Sequence, residues 1–354
     1  MLSAPPQVTG NRQKWERGYK APDQALAFLK ERHQTRIWLT VLTALGDHAL
    51  ILALAAAVCW AYARVHPASA VLLYPLALVG IVRCQRGLEN LVHEGSHFNW
   101  SRSNHRLNDL VCNLLAAVPV FSDVRCYRPG HKLHHFSFGT EEDADLERYQ
   151  ILDIEGLDRR RAAPFVFGIA QRIVTYVIGW WRVIRTRSGV LALSLLWHGA
   201  FLILPAALGL GVGTAAGLWL AFWMVPFLVV LPWHRFIAEA AKHQYEGQET
   251  VFDATISNVG FLHELLLHPH NDGYHLLHHL FPGIPHHQLK RAHHGLAKLD
   301  PEGYGEALRV RTHVLEDPEP SRQVRAGQPE ASAINMMSST GGSSRRMVRA
   351  RRSA

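Results

Sequence analysis

Three histidine clusters carry the chemistry available to this sequence: His93-Glu94-Gly95-Ser96-His97, His131-Lys132-Leu133-His134-His135 and His275-Leu276-Leu277-His278-His279. On a helix, positions i and i+4 share a face and i+3 lies beside them, so each cluster presents two or three imidazole nitrogens from one side. HEGSH alone also fits the HExxH pattern, in which two histidines hold zinc and the glutamate is a general base. The two HxxHH clusters of identical spacing point to something larger. Eight imidazoles exceed what one tetrahedral zinc ion accepts, so two metal ions are implied. Imidazole suits iron, zinc and copper alike, and open coordination positions with oxygen chemistry favour iron. Glu239 and His243, four apart on one helical face, add a ninth nitrogen and a carboxylate that either binds through water or orients another ligand.

The elements that must position these clusters are apolar. Four stretches, 37–63, 69–92, 189–211 and 214–236, are each long enough as helices to cross a hydrocarbon core. Asp47 and His48 are expensive at mid-bilayer, so the first span proper begins near them, with 37–46 at the interface. The loops joining the first to the second span and the third to the fourth contain a single basic residue, Arg64, which places both loops away from the cytoplasm and everything else on its side. The expected fold is therefore all-α and integral to the membrane: four transmembrane helices in two hairpins, with a helical cytoplasmic cap holding the histidines. Residues 107–121 are too short to span. Residues 165–181, ending in Trp180, Trp181 and the basic Arg182, Arg185 and Arg187, read as an interfacial amphipathic helix.

The chain has 354 residues, 48% apolar and 19% charged, so disorder of the whole is excluded. Its net charge of +8 looks at first like a nucleic-acid signal, but half of it lies in 317–354, where seven Arg face three acids in a Ser/Gly/Pro-rich context expected to be a disordered basic tail. The expected division is a cytoplasmic N-terminal segment (1–36) without a cleavable signal, a membrane domain (37–316) and that tail (317–354), with both termini cytoplasmic. The partner this leaves is the lipid bilayer, with no nucleic acid. The four cysteines (Cys59, Cys84, Cys112, Cys126) form no CxxC pair and are expected to be buried free thiols.

HEGSH, HKLHH and HLLHH, in that order around two membrane hairpins, resemble the three histidine boxes of the membrane-bound fatty acid desaturase and hydroxylase superfamily. The resemblance covers about residues 35–300, including GTEEDADLERY after the second box and NDGYHLLHHLFPGIPHHQL around the third. It implies a cytosol-facing di-iron site that uses O2 and two electrons on an unactivated C–H bond of a fatty acyl chain. The implied ligands are His93, His97, His131, His134, His135, His275, His278 and His279. Glu239 and His243 occupy the place where stearoyl-CoA desaturases complete the set, and Asn271 is an alternative water-mediated ligand. The first box has three intervening residues where stearoyl-CoA desaturases commonly have four, so an acyl-CoA substrate is not implied. No cytochrome domain is fused in the sequence, so electrons are expected from a separate ferredoxin or cytochrome-type donor with its reductase, with the basic surface as the candidate dock.

Within such a family, desaturation, hydroxylation and oxidative decarboxylation of free acids to 1-alkenes are all open, with desaturation favoured. The rivals from other classes are an intramembrane zinc protease using His93, His97 and Glu94, and a non-redox metal-binding or transport protein. Of the remaining histidines, His286, His287, His293 and His294 are expected on an exposed helix. His263, His268 and His270 are near enough to support the site. The acidic run Glu141, Glu142, Asp143, Asp145 and Glu147 is either a solvated loop or a set of acceptors for imidazole N–H groups.

Overall fold

The computed structural model describes residues 14–316; the expected basic tail, 317–354, lies outside them. After a short helix α1 (Asp23–Arg32), the chain forms α2 (Ile37–Arg64) and α3 (Pro67–Ser96), joined by a tight turn. Pro67 stands at the first position of α3, where its missing N–H costs nothing, and the His66 side chain accepts from Ala68 N–H. Next, α4 (His105–Val120) meets α5 (Val124–Phe136) at an 89° bend. Phe121, in the left-handed region at φ 56°, makes the corner, and Asp123 caps α5 by accepting from the N–H groups of Arg125 and Cys126.

The short helix α6 (Ala144–Ile151) is capped by Asp143. It leads to α7 (Ala162–Arg185) and to a second hairpin, α8 (Ser188–Leu210) and α9 (Val212–Glu239), turned at Gly211 with φ 79°. Then follow α10 (Val251–Ala254), α11 (His275–Leu280) and α12 (His286–Leu299).

Five of these helices, α2, α3, α7, α8 and α9, are long and apolar enough to cross a membrane. The sequence led to four: α7 was expected as a shorter interfacial helix, and it forms one continuous helix of 24 residues. Its buried positions Phe165, Ile169, Ile173 and Tyr176 follow helical spacing, while Val166, Phe167 and Val174 face outward. The described residues are mostly helical, as expected, with one small addition: β1 (Ile256–Asn258) and β2 (Arg309–Arg311) pair in parallel, with Ser257 opposite Val310.

Inside the first hairpin, Asp47 is buried and answered twice: Arg83 Nη1 lies 2.9 Å from Oδ1 and His270 Nε2 2.7 Å from Oδ2. A Cβ on Gly87 would stand 2.5 Å from that carboxylate and 2.6 Å from the His270 ring, so only glycine lets the pair form there. Of the cysteines, Cys84 and Cys112 are buried, Cys59 is half-buried, and Cys126 is exposed, contrary to expectation.

Candidate metal centre

The first histidine cluster forms the last turn of α3, the second occupies α5 and the third α11. Gly95 lets α3 approach α4, since a Cβ there would come within 2.4 Å of Cys112 Sγ. His243 follows α9, its backbone N–H donating to Tyr149 Oη at 3.1 Å while that hydroxyl donates to Glu239 O at 2.6 Å.

Nine histidines converge in two groups, within each of which the ligand atoms lie no more than 4.8 Å apart: His93, His97, His131, His135 and His278 in one, His134, His243, His275 and His279 in the other. The groups divide each HxxHH cluster crosswise. In α5 the i,i+4 pair His131 and His135 joins the five-nitrogen group while His134 crosses to the other. In α11 the pair His275 and His279 joins the four-nitrogen group while His278 crosses back. The spacing that looked repetitive in sequence thus divides each helix between two neighbouring sites.

Within the five-nitrogen group, His131 Nε2 lies 2.8 Å from His97 Nε2 and 3.1 Å from His135 Nε2, which is itself 3.1 Å from His278 Nε2. In the four-nitrogen group, His275 Nε2 lies 3.0 Å from His243 Nε2 and 3.2 Å from His279 Nε2, and His134 Nε2 completes it 3.3 Å from His279. Neutral imidazole has one N–H and one lone pair, so nitrogens gathered around a common point cannot all satisfy one another, whereas a cation accepts every lone pair. The donor set fits two metal ions.

Burial, reinforced by neighbouring imidazoles, holds His131, His135, His243, His275, His278 and His279 below the ordinary histidine pKa, keeping them neutral as ligands must be. Burial with the cations of Lys132, Arg102 and Arg128 lowers His97 to about 3. His134 goes the other way: burial pulls its pKa down, but Asp145 and Asp143 outweigh it and the net shift is upward. Asp143 Oδ1 stands 2.8 Å from His134 Nδ1, which places the proton on Nδ1 and leaves Nε2 free for a metal.

Glu239 and Asn271 lie outside both groups. The Glu239 carboxylate accepts from Tyr176 Oη at 2.8 Å and from Arg148 at 3.4 Å, and Asn271 Nδ2 donates to His286 O at 2.9 Å. Glu94 accepts from the His286 backbone N–H at 2.6 Å and from Asn99 Nδ2 at 3.3 Å, a tie between α3 and α12. His286 and His293, expected on an exposed helix, are buried. His286 sits against Thr40 Oγ1 at 3.3 Å and His293 against Tyr304 Oη at 2.9 Å, because α12 packs one face onto the body. Of the acidic run, Asp143 reaches an imidazole N–H, while Glu142 accepts from Ser137 Oγ. Sequence reasoning did not find Phe138, which is fully buried and within 5.4 Å, ring to ring, of His134, His243 and His279. A lone aromatic after a histidine box gives no signal of this role.

The fatty acid desaturase family model matches residues 67–310, which includes every histidine of both groups. The chain belongs to the fatty acid desaturase family. A curated relative, the dihydrorhizobitoxine desaturase of Bradyrhizobium elkanii, is 30% identical over 243 residues, covering 62% of this chain and 66% of the relative, just under two thirds of its length. Membership accounts for all three histidine clusters together, where the protease and transport readings leave the second and third unexplained.

Proposed function

We propose that this desaturase family member holds two irons through its nine converging histidines and desaturates a fatty acyl chain at the membrane. The observation that carries the reading is the crosswise division of the two HxxHH clusters into two adjacent nitrogen groups. When bound, the iron pair with O2 and two electrons supplies the oxidising power to remove hydrogen from an unactivated C–H bond. In desaturation the chain loses two hydrogens, and O2 with two electrons and two protons leaves as two waters.

The protein's own residues set the conditions. Burial keeps the imidazoles neutral, Asp143 fixes the tautomer of His134, and Phe138 shields the four-nitrogen group from water. The cations Arg102, Arg128 and Lys132 lie near His97 and suit an acidic ferredoxin-type or cytochrome-type donor.

Four spans in two hairpins, with α7 lying along the membrane, are supported by the site itself. Each hairpin leaves and returns on the histidine side. Were α7 also to cross, His243 would emerge on the opposite face from His134, its neighbour in the four-nitrogen group. The scarcity of Lys and Arg in the hairpin turns supports a cytoplasmic site and cytoplasmic termini.

Oxidative decarboxylation and hydroxylation would draw on the same centre, and the relative, a dihydrorhizobitoxine desaturase, supports a second reading in which the substrate is not a simple acyl chain. The test is to supply the protein with a reductase system, saturated fatty acids of several lengths and dihydrorhizobitoxine, and to analyse products by mass spectrometry. In-chain alkenes are expected. Volatile 1-alkenes or hydroxy acids would select the other branches, and zinc without any oxidised product would overturn the di-iron reading.

A further inference from the structure

Between β1 and α11 runs a segment to which the oxidation chemistry assigns no role, Phe261-Leu262-His263-Glu264-Leu265-Leu266-Leu267. Phe261 is 77% exposed, Leu262 52% and Leu265 48%, an unusual concentration of bare apolar surface on a connection this short. Its other side is polar and tied down. Glu264 accepts from Tyr274 Oη at 2.8 Å and from Lys290 Nζ at 2.7 Å, and His263 is buried.

The backbone of this segment is held by the spans. Arg83 Nε of α3 donates to Leu265 O at 3.4 Å, and His234 Nε2 of α9 lies 2.8 Å from Leu266 O. At 1.5 Å per residue, Arg83 stands about 24 Å along α3 from Pro67, and His234 about 33 Å along α9 from Val212. Both heights fall near the far edge of a hydrocarbon core about 30 Å thick, on the histidine side. Trp233, partly exposed beside His234, suits that same level, where indole rings collect.

We propose that Phe261–Leu267 is a membrane-seated lip, with Phe261, Leu262 and Leu265 immersed among lipid acyl chains at the level where α3 and α9 leave the bilayer. The occupant of the apolar face is lipid, because the face is continuous in height with the exposed, lipid-facing surfaces of the spans that hold it. The lip then fixes the third histidine cluster, which follows it after seven residues, close to the membrane surface. This inference rests on the reading of the two hairpins as membrane-embedded and not on the chemistry of the metal centre.

The test is spin labelling of the full chain in liposomes, in a Cys59→Ser, Cys126→Ser background, at Phe261→Cys and separately at Leu265→Cys. Leu208→Cys on α8, 83% exposed, is the lipid reference, and Lys290→Cys on α12 is the water reference. Labels at Phe261 and Leu265 are expected to collide more with O2 than with a water-soluble nickel chelate, as at Leu208 and in contrast to Lys290. Labels at 261 and 265 that behave like the one at Lys290, or that are shielded from both reagents by protein, would overturn the lip while Leu208 still reports lipid. A water-exposed Leu208 would instead overturn the embedded hairpins on which the lip depends.

Discussion

The two nitrogen groups are built from the same side chain and sit in different surroundings. The four-nitrogen group is fully buried, faces Phe138, and has Asp143 and Asp145 beside His134. Three of the five histidines in the other group, His93, His97 and His135, are only partly buried, and the cations near His97 are Lys132, Arg102 and Arg128. Carboxylates stabilise the more highly charged state of a nearby ion, and cations stabilise the less charged state. With ions bound as proposed, the cations near His97 would favour the less charged state in the outer group and the carboxylates beside His134 the more charged state in the inner one. The lesson is that the ligand type is shared by both groups, while the charges behind the ligands set them apart.

The largest effect should come from removing a nitrogen where there is none to spare. His279→Ala leaves three imidazoles in the inner group and is expected to lower bound iron from two per chain towards one and to abolish product, a loss beyond the ~10–100-fold typical of outer hydrogen-bond partners. His97→Ala leaves four in the outer group and should retain more metal. Elemental analysis of both proteins makes the comparison, and equal iron loss would erase the distinction. Asp143→Asn comes next: it removes the charge behind His134 while keeping a capping side chain, so inner-site affinity should fall by about 10–100-fold with the outer site unchanged, read by metal titration.

Acid should act through both groups. Histidines whose folded pKa lies below the unfolded value of about 6.5 bind protons more readily when unfolded, so their contribution is complete above that pH and is lost as the pH falls below it. His134, shifted upward, opposes this alone. The metal-free protein should therefore melt at lower temperature as the pH drops from about 7 to about 5, and metal should be released over the same range. The smallest effect is expected from Glu239→Gln: its carboxylate is engaged by Tyr176 and Arg148, so iron content should stay at two per chain.

The spacing of the three clusters made eight of the nine histidines legible, and the i,i+4 pair Glu239 and His243 added the ninth, because helical periodicity states which side chains share a face. It does not state which neighbour each face meets. That is why the crosswise exchange of His134 and His278 was hidden, and why His286 and His293, on a helix rich in polar residues, were expected in solvent. The hairpins were legible from apolar length, yet α7 is also long and apolar enough to cross, at a mean hydropathy of 1.4 against 1.7 to 2.0 for the others, and the proposal that it lies along the membrane rests on the meeting of His243 with His134. The lip was missed because its helical stretch, His263–Leu267, is little more than one turn, too short for a period to be read.

The parallel pairing of β1 with β2 has a consequence for the order in which the site is made. Arg311 of β2 donates to Ala241 O at 2.6 Å, close to His243, and its strand neighbours the segment that leads into α11. A ribosome that has delivered every histidine of both groups has still not delivered Arg311, which ties the backbone beside His243. Newly made chains therefore pass through an interval in which all nine imidazoles exist and that tie does not.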